Sequence, residues 1–212
     1  MKGVWFARDD TNVGIPLLNP LFSDLVECEE LLVKSDSQFA RRTFVRASFA
    51  FHEAFIYWLK DLVFKRLAMN ALQCGSIEIT KLMLLQDDSY RPNKQGKIEL
   101  EPNRIPLLNL CALVLRTAAE CAGISRNPLF SDNGWSEFQI ALKVRDRITH
   151  PKSVEDLDIK DEEMASVRES HRWLFNCIVG IGNVDSGSGP EVDGPSAVVV
   201  AERLTLVFGP NP

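Results

Sequence analysis

Along most of this chain apolar residues recur three and four positions apart, the spacing of an amphipathic helix. Asn19 or Ser23 is placed to cap a first helix running to about Lys34. Asp36 or Ser37 opens a long one, with Phe39, Phe44, Val45, Phe49, Phe55, Ile56, Leu59, Val63 and Leu67 as its apolar members. No proline or glycine interrupts residues 21 to 74, and Gly75 is the expected stop. A short helical piece follows from Ser76 through Leu85. A third full helix spans about Ile105 to Ala122 and closes at Gly123, and a fourth starts at Asn133 or Ser136 and runs to about Thr149. Phe138, Ala141, Leu142 and Ile148 mark the core face of that fourth helix. After a loop over 151–158, Lys160 or Asp161 starts a final helix through Val179.

Three stretches depart from that rhythm. Residues 3–7 read as a short strand. Residues 87–103 are turn-rich, with a small hairpin expected around Asn93–Gly96. Beyond Gly182 the run Asp185-Ser186-Gly187-Ser188-Gly189-Pro190 is linker-like. The last segment, Ala197–Phe208, has the β-branched content of a strand. A lone strand is unstable, so this one needs the N-terminal segment, the 97–101 strand or another chain beside it. The expected fold class is therefore all-α: a bundle of about five helices over residues 1–182, with a small β element in the 87–103 loop and in the tail. Residues 183–196 form a linker and 197–212 the tail.

Composition narrows the function classes. Apolar residues make up 45% of the 212 and charged residues 25%, ordinary values for a globular protein. The formal net charge of -5 argues against a protein that coats duplex nucleic acid, though not against a local cationic groove. The five cysteines have no C-x-x-C spacing, and Cys28, Cys111, Cys121 and Cys177 lie in apolar helical contexts that fit reduced, buried thiols in a cytoplasmic protein. With three histidines and no ligand-spaced pair, neither a metal site nor a cofactor is expected. No apolar run is long enough to span a membrane, and the N-terminus lacks the pattern of a signal peptide.

The chemistry concentrates in Lys143-Val144-Arg145-Asp146-Arg147-Ile148-Thr149-His150-Pro151-Lys152. Pro151 disfavours helical geometry at His150, so the helix should stop there and project the imidazole from its end. Arg145 keeps its charge and can fork two hydrogen bonds onto a phosphate. His150 can move a proton near neutral pH. Asp146 lies four residues before His150, on the same helical face, and is placed to orient the imidazole. Thr149 pairs with Arg145 at the same spacing, and Lys143, Arg147 and Lys152 add positive charge nearby. Simple capping of a helix C-terminus by basic groups is the structural alternative.

A second polar stripe lies on the long helix, where Arg42, Arg46, Phe49 and Glu53 share one face. Either they line the same cleft as Arg145, with Arg42 and Arg46 on phosphates and Glu53 as acidic partner, or they form internal ion pairs or a solvated face. His52, among phenylalanines, reads as a packed histidine, and His171 as a surface or interface residue.

Arg145-Asp146-x-x-x-His150 resembles the Arg-(Asn/Asp/His)-x(3–5)-His motif of the HEPN superfamily (higher eukaryotes and prokaryotes nucleotide-binding). The stretch Ala40–Glu53 is similar to the long second helix of its bacterial members. By helix order the resemblance covers roughly residues 20 to 180. It implies a metal-independent endoribonuclease, a toxin or antiphage effector, that acts as a homodimer with two motifs facing across one cleft. His150 would handle protons as the RNA 2′-hydroxyl attacks phosphorus, Arg145 would stabilise the phosphorane, and Asp146 would fix geometry. A cognate antitoxin or regulatory protein is the further partner it implies. The alternatives are a non-catalytic helical module that binds RNA, a nucleotide or a protein, and an unrelated helical scaffold whose tail completes a partner's sheet.

Overall fold

The computed structural model describes residues 15–70, 76–121, 130 and 133–183. The expectations for residues 3–7, for Gly75 and Gly123, and for the linker and tail lie outside these.

The fold is all-α with one small hairpin, as the apolar spacing predicts. Its elements are α1 (Ile15–Lys34), α2 (Gln38–Asn70), α3 (Ser76–Leu85), β1 (Asp88–Pro92), β2 (Ile98–Pro102), α4 (Leu107–Cys121), α5 (Asn133–Thr149) and α6 (Asp161–Asn183). Six helices rather than about five stand among the described residues, because the Ser76–Leu85 piece is a helix in its own right. The longest, α2, packs against all the others, α1 lies along it, and α5 pairs closely with α6. No described helix is long and apolar enough to cross a membrane.

Local chemistry sets most of the boundaries. Ser37 caps α2: its Oγ accepts the Ala40 N–H at 3.2 Å, satisfying a donor that the first turn leaves orphaned. At the start of α6 the Glu163 carboxylate reaches back to the Lys160 N–H at 3.0 Å. Asp161, Glu162 and Glu163 fill the first turn of α6, where the helix dipole favours negative charge. The first helix starts at Ile15, upstream of both Asn19 and Ser23, and carries Pro20 inside it. That proline removes one backbone hydrogen bond. Burial of Leu25 and Leu32 against α2 outweighs the loss.

The core runs along one face of α2. Phe44, Val45, Phe49, Ile56 and Val63 are fully buried there, facing Val114 and Leu115 of α4, Phe138 and Ile148 of α5, and Trp173 and Leu174 of α6. Phe39 departs from expectation: it lies in the first turn of α2, 65% exposed, where no other helix covers it. Trp173 sets a steric constraint on α5. A Cβ added at Gly134 would lie 2.4 Å from the Trp173 side chain, so only glycine lets the first turn of α5 approach the indole.

The hairpin is regular and carries its own turn chemistry. Asn93 Oδ1 accepts the Gln95 N–H at 2.9 Å and the Lys97 N–H at 3.0 Å, and Gly96 supplies the positive φ of 74°. Asp88 faces Pro102, Tyr90 faces Leu100 and Pro92 faces Ile98. The bonds from Asn93 N–H to Lys97 O (2.8 Å) and from Asn103 N–H to Asp87 O (2.7 Å) fix the phase of the ladder. Residues 88, 90, 92, 98, 100 and 102 therefore turn their backbone groups away from the partner strand. Pro92 and Pro102 both occupy such positions, so neither costs a ladder bond.

Replacing Gly134 by alanine should destabilise the protein by about 1–3 kcal/mol, the cost typical of overpacking a filled core. Urea unfolding followed by Trp fluorescence measures it, and an unchanged midpoint would contradict the Trp173 constraint.

Candidate functional site

The end of α5 is held against α2 by side chains that sequence spacing had already grouped. Thr149 Oγ1 donates to the Arg145 carbonyl at 2.7 Å and the His150 N–H donates to the Asp146 carbonyl at 3.0 Å, closing the last turn. Pro151 stops the helix there. In the segment that follows, Asp156 Oδ2 accepts the N–H groups of Lys152 (2.7 Å) and Ser153 (3.0 Å). A 3-10 turn spans Glu155–Leu157, an element of order in what reads as a plain loop.

The N-terminal half of α2 clamps this segment through backbone carbonyls. Gln38 Nε2 donates to Ile159 O at 3.0 Å and its Oε1 accepts the Ile159 N–H at 2.9 Å. Arg41 Nη1 donates to the same carbonyl at 2.8 Å, and its guanidinium pairs with Asp36 and Asp161, both at 2.6 Å. Arg42 Nη1 donates to Leu157 O at 3.0 Å, and Arg46 Nη2 reaches Ile148 O at 3.4 Å. Two turns further on, Glu53 takes the Arg145 guanidinium in an ion pair, while Phe49 lies under it at 5.9 Å from ring centroid to Cζ.

The polar members of the stripe, Arg42, Arg46 and Glu53, thus meet the end of α5, over the buried Phe49. Arg42 is half-buried and holds a carbonyl, whereas Arg46 is exposed. Arg145 is 27% exposed and has two carboxylate partners, Glu53 through Nη2 and Asp146 through Nη1, the latter at 2.8 Å. Asp146 therefore spends its carboxylate on Arg145 and makes no hydrogen bond to His150, contrary to the i, i+4 expectation. The Arg145 guanidinium is permanently charged and can offer several N–H donors at once. The His150 side chain is exposed and has no protein partner among the described residues.

Lys143 and Lys152 are exposed on the same end of α5. Arg147 is not part of this surface. Its guanidinium donates to Asp158 O at 3.0 Å and to Glu163 Oε2 at 2.8 Å, tying α5 to the start of α6. Among the described residues no three His, Cys, Asp or Glu side chains gather as a metal site would need. The thiols of Cys28 and Cys121 are half-buried and those of Cys111 and Cys177 buried, and none of the four is in a disulfide among the described residues.

Sequence spacing gave no sign of the second titratable cluster. His52 Nε2 and His171 Nδ1 lie 2.8 Å apart between α2 and α6, both rings buried. His171 is thus a core residue, not a surface one: α6 turns it inward beside Phe44 and Phe51. Phe49 packs edge-on against His52 at 5.1 Å, and Phe138 lies 5.8 Å from it. Phe49 accordingly touches both the buried imidazole pair and Arg145. Burial holds both rings neutral: it pushes His171 down to about 3 and His52 well below its ordinary value, with the neighbouring ring adding to the effect on His52.

Comparison with protein-family models, with curated proteins and with solved structures gives no match to this chain. The reading of the site rests on its own residues.

The imidazole pair makes stability depend on pH with a definite sign. Both folded-state values lie below that of a free histidine, so between pH 6.5 and about 3 the unfolded chain binds protons that the folded core refuses. Stability is full above pH ~6.5 and falls on acidification, by at most about 1.4 kcal/mol per pH unit for each histidine. Urea unfolding at pH 7.5 and at pH 5.5 should differ by about 1–3 kcal/mol in favour of pH 7.5. A flat profile across that range would show that the two rings are hydrated in solution.

Proposed function

We propose that the protein is a metal-independent endoribonuclease of HEPN type, with the end of α5 as its reactive surface. The observation that carries this reading is the division of labour there. Arg145 is fixed by α2 yet still solvent-accessible, and the His150 imidazole, from the same helix end, is exposed and has no protein partner among the described residues. A general acid–base must be free to meet substrate, whereas a group that stabilises developing charge works best when already fixed. Arg46, Lys143 and Lys152 are exposed too and suit a flanking phosphate backbone.

In the reaction His150 accepts the proton of an RNA 2′-hydroxyl as its oxygen attacks the adjacent phosphorus. The new bond to the 2′-oxygen forms, the bond to the 5′-oxygen breaks, and the leaving 5′-oxygen takes a proton from a second imidazole. Arg145 offsets the extra negative charge of the phosphorane. The products are a 2′,3′-cyclic phosphate and a 5′-hydroxyl, and DNA, which lacks the 2′-hydroxyl, is not cut. A homodimer with two α5 ends facing across one cleft supplies the second imidazole and brings it to the phosphate that Arg145 holds. A paired inhibitor protein would act by covering that end.

One observation favours a second reading. Glu53 and Asp146 together neutralise Arg145, which suits a non-catalytic module that binds RNA, a nucleotide or a protein partner through its remaining cations. Incubation with single-stranded RNA in the presence of a chelator separates the two. Cleavage should occur and should fall by about 10²–10⁴-fold in both His150→Ala and Arg145→Ala. Neither change should shift the thermal midpoint by more than a few degrees, since neither side chain lies in the core. RNA retained but not cut by the parent protein would establish the binding module. Cleavage that persists in both variants would place the chemistry elsewhere.

A further inference from the structure

The hairpin carries an apolar face that nothing described covers. Side chains alternate along a strand, so Tyr90, Pro92, Ile98, Leu100 and Pro102 share one face. Tyr90 is 69%, Ile98 74% and Leu100 56% exposed. The same alternation leaves the Ile98 and Leu100 N–H and C=O groups pointing outward from β2, an open edge ready for another strand. A two-stranded ribbon with both faces in water is marginal at best.

We infer that the segment Ala197–Phe208 of the same chain docks here as a third strand, antiparallel to β2. The argument is one of complementarity between a described edge and a sequence. With Leu204 beside Leu100 and Leu206 beside Ile98, two leucines extend the apolar face and their backbone groups meet the open donors and acceptors of β2. That register places Arg203 beside Glu101 and Thr205 beside Glu99 on the opposite face. These are the non-hydrogen-bonded positions, where side chains come closest. The edge of β1 fits less well. With Leu204 beside Tyr90, Leu206 would lie against Asp88 and Arg203 against Arg91. The 184–196 linker extends to about 45 Å, comparable with the width of a body of this size, so it can span the distance.

Backbone amide exchange in the full chain reads the pairing directly. The Ile98 and Leu100 amides should exchange about 100-fold more slowly than the outward amides of Asp88 and Tyr90 on the other edge. The protection should vanish in Leu204→Lys/Leu206→Lys, with core amides such as those of Leu115 and Ile148 unchanged as a check on folding. Arg203→Glu should weaken it and Glu101→Lys in that background should restore it. Equal, fast exchange at both edges would overturn the inference. So would protection that survives the leucine changes, which would assign the edge to another segment. Protection that grows with protein concentration would give it to a second copy and overturn the same-chain docking.

Discussion

The position of every group at the end of α5 depends on how α2 sits against α5 and α6, and a buried ring cluster fixes that. Phe49 and His52 of α2, Phe138 of α5, and His171 and Trp173 of α6 fill one volume with ring-to-ring distances between 4.1 and 6.1 Å. Flat, stiff side chains bury large areas at little rotamer cost, so such a cluster resists sliding. The hydrogen bond between the two imidazoles gives it a polar, directional member: it holds at 2.8 Å and would be lost with a shift of α2 along α6. Because Phe49 belongs to the cluster and also lies under Arg145, the placement of the guanidinium is inherited from the core.

From that base the rest of α2 works as a clamp. Gln38, Arg41 and Arg42 spend charge and hydrogen bonds on the Leu157 and Ile159 carbonyls, groups that belong to an irregular segment and would otherwise need water. Charge-assisted bonds of this kind are stronger than neutral ones. The result is a fixed return path from Pro151 to α6 and a fixed exit for α5. The arginines that look from spacing like phosphate ligands are, in the case of Arg42, largely engaged in building the scaffold.

The helices were legible because burial on one face imposes a period of 3.6, and the periods in residues 38–70, 107–121, 133–149 and 161–183 are clean. The hairpin was legible because Asn93 and Gly96 each do something that few other residues can. The start of α1 was not, since Pro20 argues locally against a helix and only packing on α2 reverses it. His171 was misplaced for a related reason. It sits between Ser170 and Arg172, and only the depth to which α6 sinks into the bundle puts it in the core. At the site, spacing grouped Arg46, Phe49 and Glu53 on the side of α2 that meets the end of α5. It did not decide which partner each would choose: the i, i+4 spacing points Asp146 at His150, and its carboxylate pairs with Arg145.

That choice matters for either function. Arg145 is held by carboxylates on two sides, so an incoming phosphate meets a guanidinium already neutralised and two negative groups beside it. The phosphate gains only what it adds over Glu53 and Asp146, which depends on how far the site is closed to water. On an open surface, screening leaves exposed ion pairs little net strength and the exchange is nearly neutral. Inside a cleft closed by a second copy the effective dielectric falls, and a dianionic phosphorane draws more from the guanidinium than a monoanionic ground-state phosphate does. In the proposed dimer the same ion pairs that would make a single chain a weak phosphate binder would therefore favour the transition state over the substrate, which is the direction catalysis requires.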